Sequence, residues 1–234
     1  LGLTIVLRAH IVRVVLGTGA FDWNATRLTA ALLAVLAVGL AAQGLAILFS
    51  RALYAVKQSW RPLFYQLAGG TLTIILAVIF LFIGKDGVPS SLAIFLRVED
   101  VHGTGVLLIA AAAMLGQLFL AILSLIALRN IVPGLAGRLL RPLVDGSIAA
   151  AAGGAAAYAV LMIESGIAPL TTLMSVFTQG LVAGIVGLSV SGLALFIIEN
   201  EEFRIVANAL AGLLRIHGTR SEVLAPSAEE PPKP

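Results

Sequence analysis

The chain has 234 residues, of which 59% are apolar and only 12% charged, with a formal net charge of +3. Soluble domains carry about 45–50% apolar and about 25% charged residues, so a mean hydropathy of +1.04 excludes that class. The absence of cysteine excludes a disulfide framework, a thiol nucleophile and a Cys metal site.

In chain order, an apolar run over residues 1–7 is interrupted by Arg8 and resumes over 11–16. It reads as the second half of a helix, and the chain as the C-terminal piece of a larger membrane protein. No cationic segment followed by a short apolar run and a cleavage site is present, so no signal peptide is expected. Asn24 is the predicted N-cap of the first full span, 28–49, with Trp23 as its interfacial anchor. That span runs out near Arg51, and Arg51, Lys57 and Arg61 follow. Pro62 then opens the second span, 63–83, in the first turn, where its missing N–H costs nothing. Residues 84–104 set Lys85 and Arg97 against Asp86, Glu99 and Asp100. Within them 90–98 suits a short surface helix with Leu92, Ile94 and Phe95 turned to lipid. The third span is 105–128, and the segment after it carries Arg129, Arg138 and Arg141 with two prolines. The fourth span, 143–163, and the fifth, 173–198, are joined by residues 164–172, which hold no Lys or Arg.

At about 1.5 Å of rise per residue, each span can cross a hydrocarbon core of roughly 30 Å. Their one charged residue is Asp145, at the edge of the fourth. The expected fold is therefore all-α: a polytopic transmembrane bundle of five spans, with a partial N-terminal helix. An amphipathic helix is expected over 201–216. There Phe203, Val206, Leu210, Leu213 and Leu214 repeat at helical spacing, with Glu201, Arg204, Asn208 and Arg215 opposite. The tail beyond His217 is expected to be disordered. This divides the chain into 1–128, 129–198, 199–217 and 218–234.

The pI near 9.7 would suggest nucleic acid in a soluble protein. Here the cations cluster between spans, so no nucleic-acid partner is expected and their count gives orientation instead. The basic residues fall most heavily between spans one and two and between three and four, which places those loops and the C-terminus in the cytoplasm.

Small residues crowd the last two spans. Gly153 and Gly154 lie in an alanine run, and Gly180, Gly184 and Gly187 follow small-x-x-x-small spacing. Such patterns let helix backbones approach closely, either as generic packing or as a pair lining a groove. No catalytic constellation is present, and the chain is not expected to be an enzyme. His10, His102 and His217 have no metal-ligand spacing, so neither a metal site nor a cofactor is expected. Polar residues inside the spans, among them Gln43, Gln66, Thr71, Thr73, Gln117 and Gln179, read as interhelical hydrogen-bond partners. Arg8 and Arg13 stand at the outward end, against the positive-inside tendency. They either snorkel to outer headgroups or contact an anion such as a phosphate. Their separation turns them apart by ~140° on an ideal helix, so only one can face a cavity squarely. Arg51 at a span end carries the same two readings.

One stretch carries a family resemblance. It holds Gly17, Gly19 and Phe21, then a span closing on Arg51, Tyr54 and Ala55, a short polar turn, and Pro62. This resembles the MurJ (MviN) lipid II flippase family, with its "G-x-G-x-F" loop before the tenth helix and its "R-x-F-Y-A" ending. Leu53 replaces the usual Phe, and Gln58 to Arg61 depart from the common turn. The resemblance implies the outer half of helix nine through helix fourteen of a multidrug/oligosaccharidyl-lipid/polysaccharide exporter fold, located in a bacterial inner (plasma) membrane. It implies a polyprenyl-pyrophosphate-linked saccharide (lipid II) as substrate for cell-wall synthesis. It also implies an N-terminal lobe as partner, and a lipid-tail groove at the last two helices among membrane lipids. The candidate substrate contacts are Arg8, Arg13 and Arg51. The sodium site of some relatives has poor counterparts in Thr71, Thr73 and Gln117. Another polyprenyl-linked saccharide exporter, and a non-transporting scaffold, remain alternatives.

Overall fold

The computed structural model describes residues 1–17, 22–84, 87–132, 134–167, 173–200, 203–206, 209 and 212, with the backbone alone at 136, 138 and 165–167. The helices run in the order α1 (Gly2–Val6), α2 (Arg8–Leu16), α3 (Trp23–Ala55), α4 (Trp60–Ile83), α5 (Ser90–Leu96), α6 (Gly105–Ile131), α7 (Leu135–Ile167) and α8 (Leu173–Ile197). Five stretches are long and apolar enough to cross a membrane: α3, α4, α6, α8 and Leu139–Glu164 of α7. The fold is all-α, a helix bundle of the expected membrane-spanning class.

The bundle has two groups. In the first, α6 packs along α3 on one side and along α4 on the other, while α3 and α4 scarcely touch. The second is the α7–α8 pair, which barely meets α6. The short helices α1 and α2 bridge the groups, α1 lying on α7 and α2 between α3 and α8.

Glycine sets the close approaches. On α7 and α8, a Cβ at Gly153 would stand 2.5 Å from the Gly187 carbonyl oxygen and would collide with the Ser191 hydroxyl. The Ser191 hydroxyl donates across the same crossing to the Ala149 carbonyl at 3.0 Å. On α4 and α6, a Cβ at Gly69 would lie 3.2 Å from the Gly116 carbonyl oxygen. In lipid there is no hydrophobic drive between apolar helices, so this backbone proximity, with its dispersion and polar contacts, is what holds them.

Local signals differ from the expectations at several points. Asp22, not Asn24, caps α3, its carboxylate accepting from the Ala25 amide at 2.7 Å. Asn24 falls inside the first turn. The N-terminal segment is not one continuous helix but breaks at Leu7. The segment carrying Arg138 and Arg141 is helical, because α7 starts at Leu135 and runs through Pro142. The short helix α5 forms, but Leu92 turns inward with Ala93 and Leu96 onto α3 and α6, so only Ile94 and Phe95 face outward. Three helix ends place a charged residue in the left-handed region where glycine is usual: Lys57 (φ 61), Arg97 (φ 60) and Glu199 (φ 56). Each end closes with the paired amide-to-carbonyl bonds of a Schellman turn, as in Gln58 to Leu53 at 3.0 Å and Val98 to Ala93 at 2.9 Å.

Of the expected amphipathic helix over 201–216, Phe203 to Val206 are helical, and most of the rest, like the tail, lies outside the described residues. So do Gly19 and Phe21.

Candidate functional site: a cationic cleft at the Arg8 end

The break at Leu7 starts α2 at Arg8 and turns that guanidinium into a cleft walled by α1, α2, α3, α5 and α7. The cleft encloses about 530 Å³, and its polar lining is Arg8, His10, Trp23, Thr26, Arg27, Arg97 and Tyr158. Each comes from a different constraint. Trp23 and Arg27 are one turn apart on α3, whose start Asp22 fixes. Arg97 is delivered by the left-handed turn that ends α5. Tyr158 stands on α7 next to the alanine and glycine run that lets α1 lie close, with Gly2 against the Ala150 carbonyl.

The three guanidiniums are not equivalent. Arg27 is neutralised by Asp100, to which it donates twice, at 2.9 and 2.8 Å. It also donates to the Arg97 carbonyl, its Nε at 3.1 Å. This makes Arg27 the clamp that holds the end of α5 against α3. Arg8 and Arg97 have no carboxylate partner among the described residues. Two unpaired guanidiniums, an imidazole and a phenol around one volume make a site for a multivalent anion, because a guanidinium grips phosphate oxygens as a two-pronged donor.

His10 lies on the boundary. Its Nε2 is 3.3 Å from Gln179 Oε1, and the Gln179 amide nitrogen reaches the Leu161 carbonyl at 3.4 Å. Gln179 is only 6% exposed, so α2, α7 and α8 are tied there by one buried polar chain. His10 also lines a second space of about 220 Å³, wholly apolar apart from its own ring, between α2 and α8. Leu7, Ile11 and Val14 face Phe177 and Leu181 across it. Gly180 forms its floor, since a Cβ there would come 3.2 Å from His10 Cβ.

The residues singled out in sequence separate as follows. Arg8 lines the cationic cleft; Arg13 does not, and instead lies over the Trp23 ring, 5.2 Å from its centroid. Arg51 lies at the far end of α3 and lines a different cleft. Gly153 and Gly187 make the α7–α8 crossing. Gly154 accommodates Val6 of α1, while Gly184 faces Leu7, so part of the α8 glycine face receives the N-terminal helix rather than α7. The apolar space beside α8 accordingly lies toward α2. Arg27, Arg97, His10 and Tyr158 had no sequence signal as site residues, because Arg27 and Asp100 are 73 residues apart and His10 and Gln179 are 169 apart. Among the described residues no three His, Asp or Glu side chains cluster as metal ligands.

Compared with protein-family models, with curated proteins and with solved structures, the chain matches none.

Proposed function

We propose that this chain forms the C-terminal part of a transporter that carries a polyprenyl-pyrophosphate-linked saccharide across a bacterial inner membrane. The family resemblance at residues 17–62 suggests lipid II as the cargo and a lipid II flippase in peptidoglycan synthesis as the activity. The observation that carries the reading is the Arg8 cleft. Two guanidiniums with no carboxylate partner among the described residues line a volume of about 530 Å³ at one end of the bundle. Holding such charges beside lipid is costly unless an anion or water shares the space. A pyrophosphate headgroup answers the cations, and the apolar space between α2 and α8, which meets the cleft at His10, suits part of the lipid tail.

In this reading the Arg51 end faces the cytoplasm, as the positive-inside tendency favours, and the Arg8 cleft faces outward. The outward cleft is then where the headgroup rests after crossing. The chain supplies no catalytic chemistry; its partner is the other lobe of the transporter.

The test is Arg8→Gln in the full-length protein, expressed in cells depleted of their own flippase, with abundance measured alongside flipping. Loss of flipping by about tenfold or more at normal abundance is expected, the loss of one charge-assisted contact being worth about that factor. Unchanged flipping at normal abundance overturns the reading.

A further inference from the structure

At the opposite end of α3 a second cleft of about 400 Å³ opens between α3 and α4, floored by Ala46 and Leu120. Its polar lining is Gln43, Ser50, Arg51 and Tyr54 from α3, Gln66 from α4 and Gln117 from α6. The cleft exists because α3 and α4 both pack on α6 without packing on each other. The tight Gly69–Gly116 crossing fixes Gln117 next to it.

Three amides on three membrane-spanning helices are a costly arrangement in lipid, where an unpaired polar group costs several kcal/mol. Gln43 and Gln66 are exposed in the cleft, and Gln117 Oε1 is buried with no hydrogen-bond partner. The amides are also graded in depth. Arg51 marks the end of the apolar segment, and Gln43 lies ~12 Å further in at about 1.5 Å per residue. On an ideal helix the lining of this cleft is turned by ~200° from that of the Arg8 cleft, 20 residues away on α3. The two spaces are therefore separate sites and not one channel.

We propose that this cleft binds a sugar phosphate group, its phosphate on Arg51 at the mouth and its hydroxyls on the amide ladder. An amide offers both a carbonyl acceptor and two N–H donors, which matches hydroxyls that donate and accept in turn. A simple anion would use Arg51 and leave the amides idle, and an apolar ligand would leave them unpaired. The volume is within the range of small-ligand sites, about 300–1,000 Å³. Free sugar phosphate and a lipid-linked sugar phosphate share this chemistry. The proposal rests on the cleft alone and does not depend on transport.

The test is equilibrium binding to the 234-residue chain in lipid nanodiscs, with labelled glucose 1-phosphate as one probe and polyprenyl phosphoglucose in the bilayer as the other. Inorganic phosphate and glucose serve as competitors. Binding of either probe is expected, weakened about tenfold in Gln117→Leu and in Gln43→Leu, with phosphate discrimination lost in Arg51→Gln. Both leucine variants place an apolar side chain in an apolar helix, so folding is not in jeopardy. Saturable binding of the soluble probe supports a free sugar phosphate as ligand, and binding of the lipid probe alone supports the lipid-linked form. If neither probe binds, or if phosphate competes as well as glucose 1-phosphate, the proposal is overturned. Binding unchanged in both leucine variants also overturns it. The flipping test reads Arg8, and this binding test reads Arg51, Gln43 and Gln117 at the other end of α3, so the two outcomes are distinguishable.

Discussion

Arg27 grips Asp100 with two hydrogen bonds of 2.9 and 2.8 Å and the Arg97 carbonyl with the same guanidinium. One side chain on α3 thus fixes both the carboxylate and the backbone that follow α5. The geometry is that of a latch, and it determines where the Arg97 side chain enters the cleft.

The latch predicts a graded loss of protection. Backbone hydrogen exchange across α5 should rise in Asp100→Ala and rise further in Arg27→Ala, which also gives up the carbonyl contact. The hydrogen bond from Arg27 holds the Asp100 carboxyl below the usual carboxylate range. A carboxyl depressed in this way supports the fold above its free value of about 3.9 and loses that support as pH falls through the lowered one. Exchange in α5, taken relative to the intrinsic amide rate at each pH, should therefore be flat from pH 8 to pH 5 and rise only below about pH 4. A rise centred near neutral pH would contradict the latch.

Arg97 sits at φ 60, where a non-glycine residue is strained. Replacing it by glycine should stabilise the turn by about 1 kcal/mol while removing a cation from the cleft. Thermal denaturation in detergent should show Arg97→Gly at least as stable as the parent, with weaker binding of a pyrophosphate lipid. A variant both stable and unchanged in binding would remove Arg97 from the site.

Two glycine substitutions separate packing from helix propensity. Alanine favours a helix over glycine by about 1 kcal/mol, and overpacking costs about 1–3 kcal/mol. A Cβ at Gly70 would meet open space, whereas at Gly153 that atom would meet the Gly187 carbonyl and Ser191. Gly70→Ala should be neutral or stabilising and Gly153→Ala destabilising, read as the shift in melting temperature in detergent. Equal shifts would argue against the close α7–α8 crossing.

At the far end of that pair, the Asn200 amide donates to Asp145 at 3.1 Å, and its carbonyl oxygen caps the Phe203 amide at 3.0 Å. Asp145 is 7% exposed. Asn200→Ala should lose the cap, worth about 1 kcal/mol, and leave a buried carboxylate unpaired at a further cost of about 1–3 kcal/mol. Asp145→Asn in the same background should recover part of the loss, which a stability measurement on the double variant would show.

The spans were legible because hydropathy is local: a run such as 105–128 announces a membrane helix without reference to the rest of the chain. The break at Leu7 and the three charged left-handed turns were not, because neither leucine nor Lys57, Arg97 and Glu199 carry the glycine or proline signal that usually marks such points. Arg8 and Arg13 could be singled out together from their position against the positive-inside tendency, and of the two Arg8 lines the cleft while Arg13 lies over Trp23. The neighbours of Arg8 there come from α3, α5 and α7, brought together by helix packing that no spacing in the sequence encodes. For Gly184 the small-residue pattern marked a close approach but not its partner, Leu7 of the N-terminal segment.

The central claim, an anionic lipid headgroup in the Arg8 cleft, is tested most directly by crosslinking in the membrane. Phe95 lines the cleft and is 77% exposed, so a photoreactive benzoylphenylalanine fits there without disturbing the fold. In membranes holding a labelled polyprenyl-pyrophosphate saccharide, illumination should give a labelled adduct that falls sharply in Arg8→Gln. An adduct yield that Arg8→Gln leaves unchanged, or adducts formed with phospholipid alone, would contradict the account.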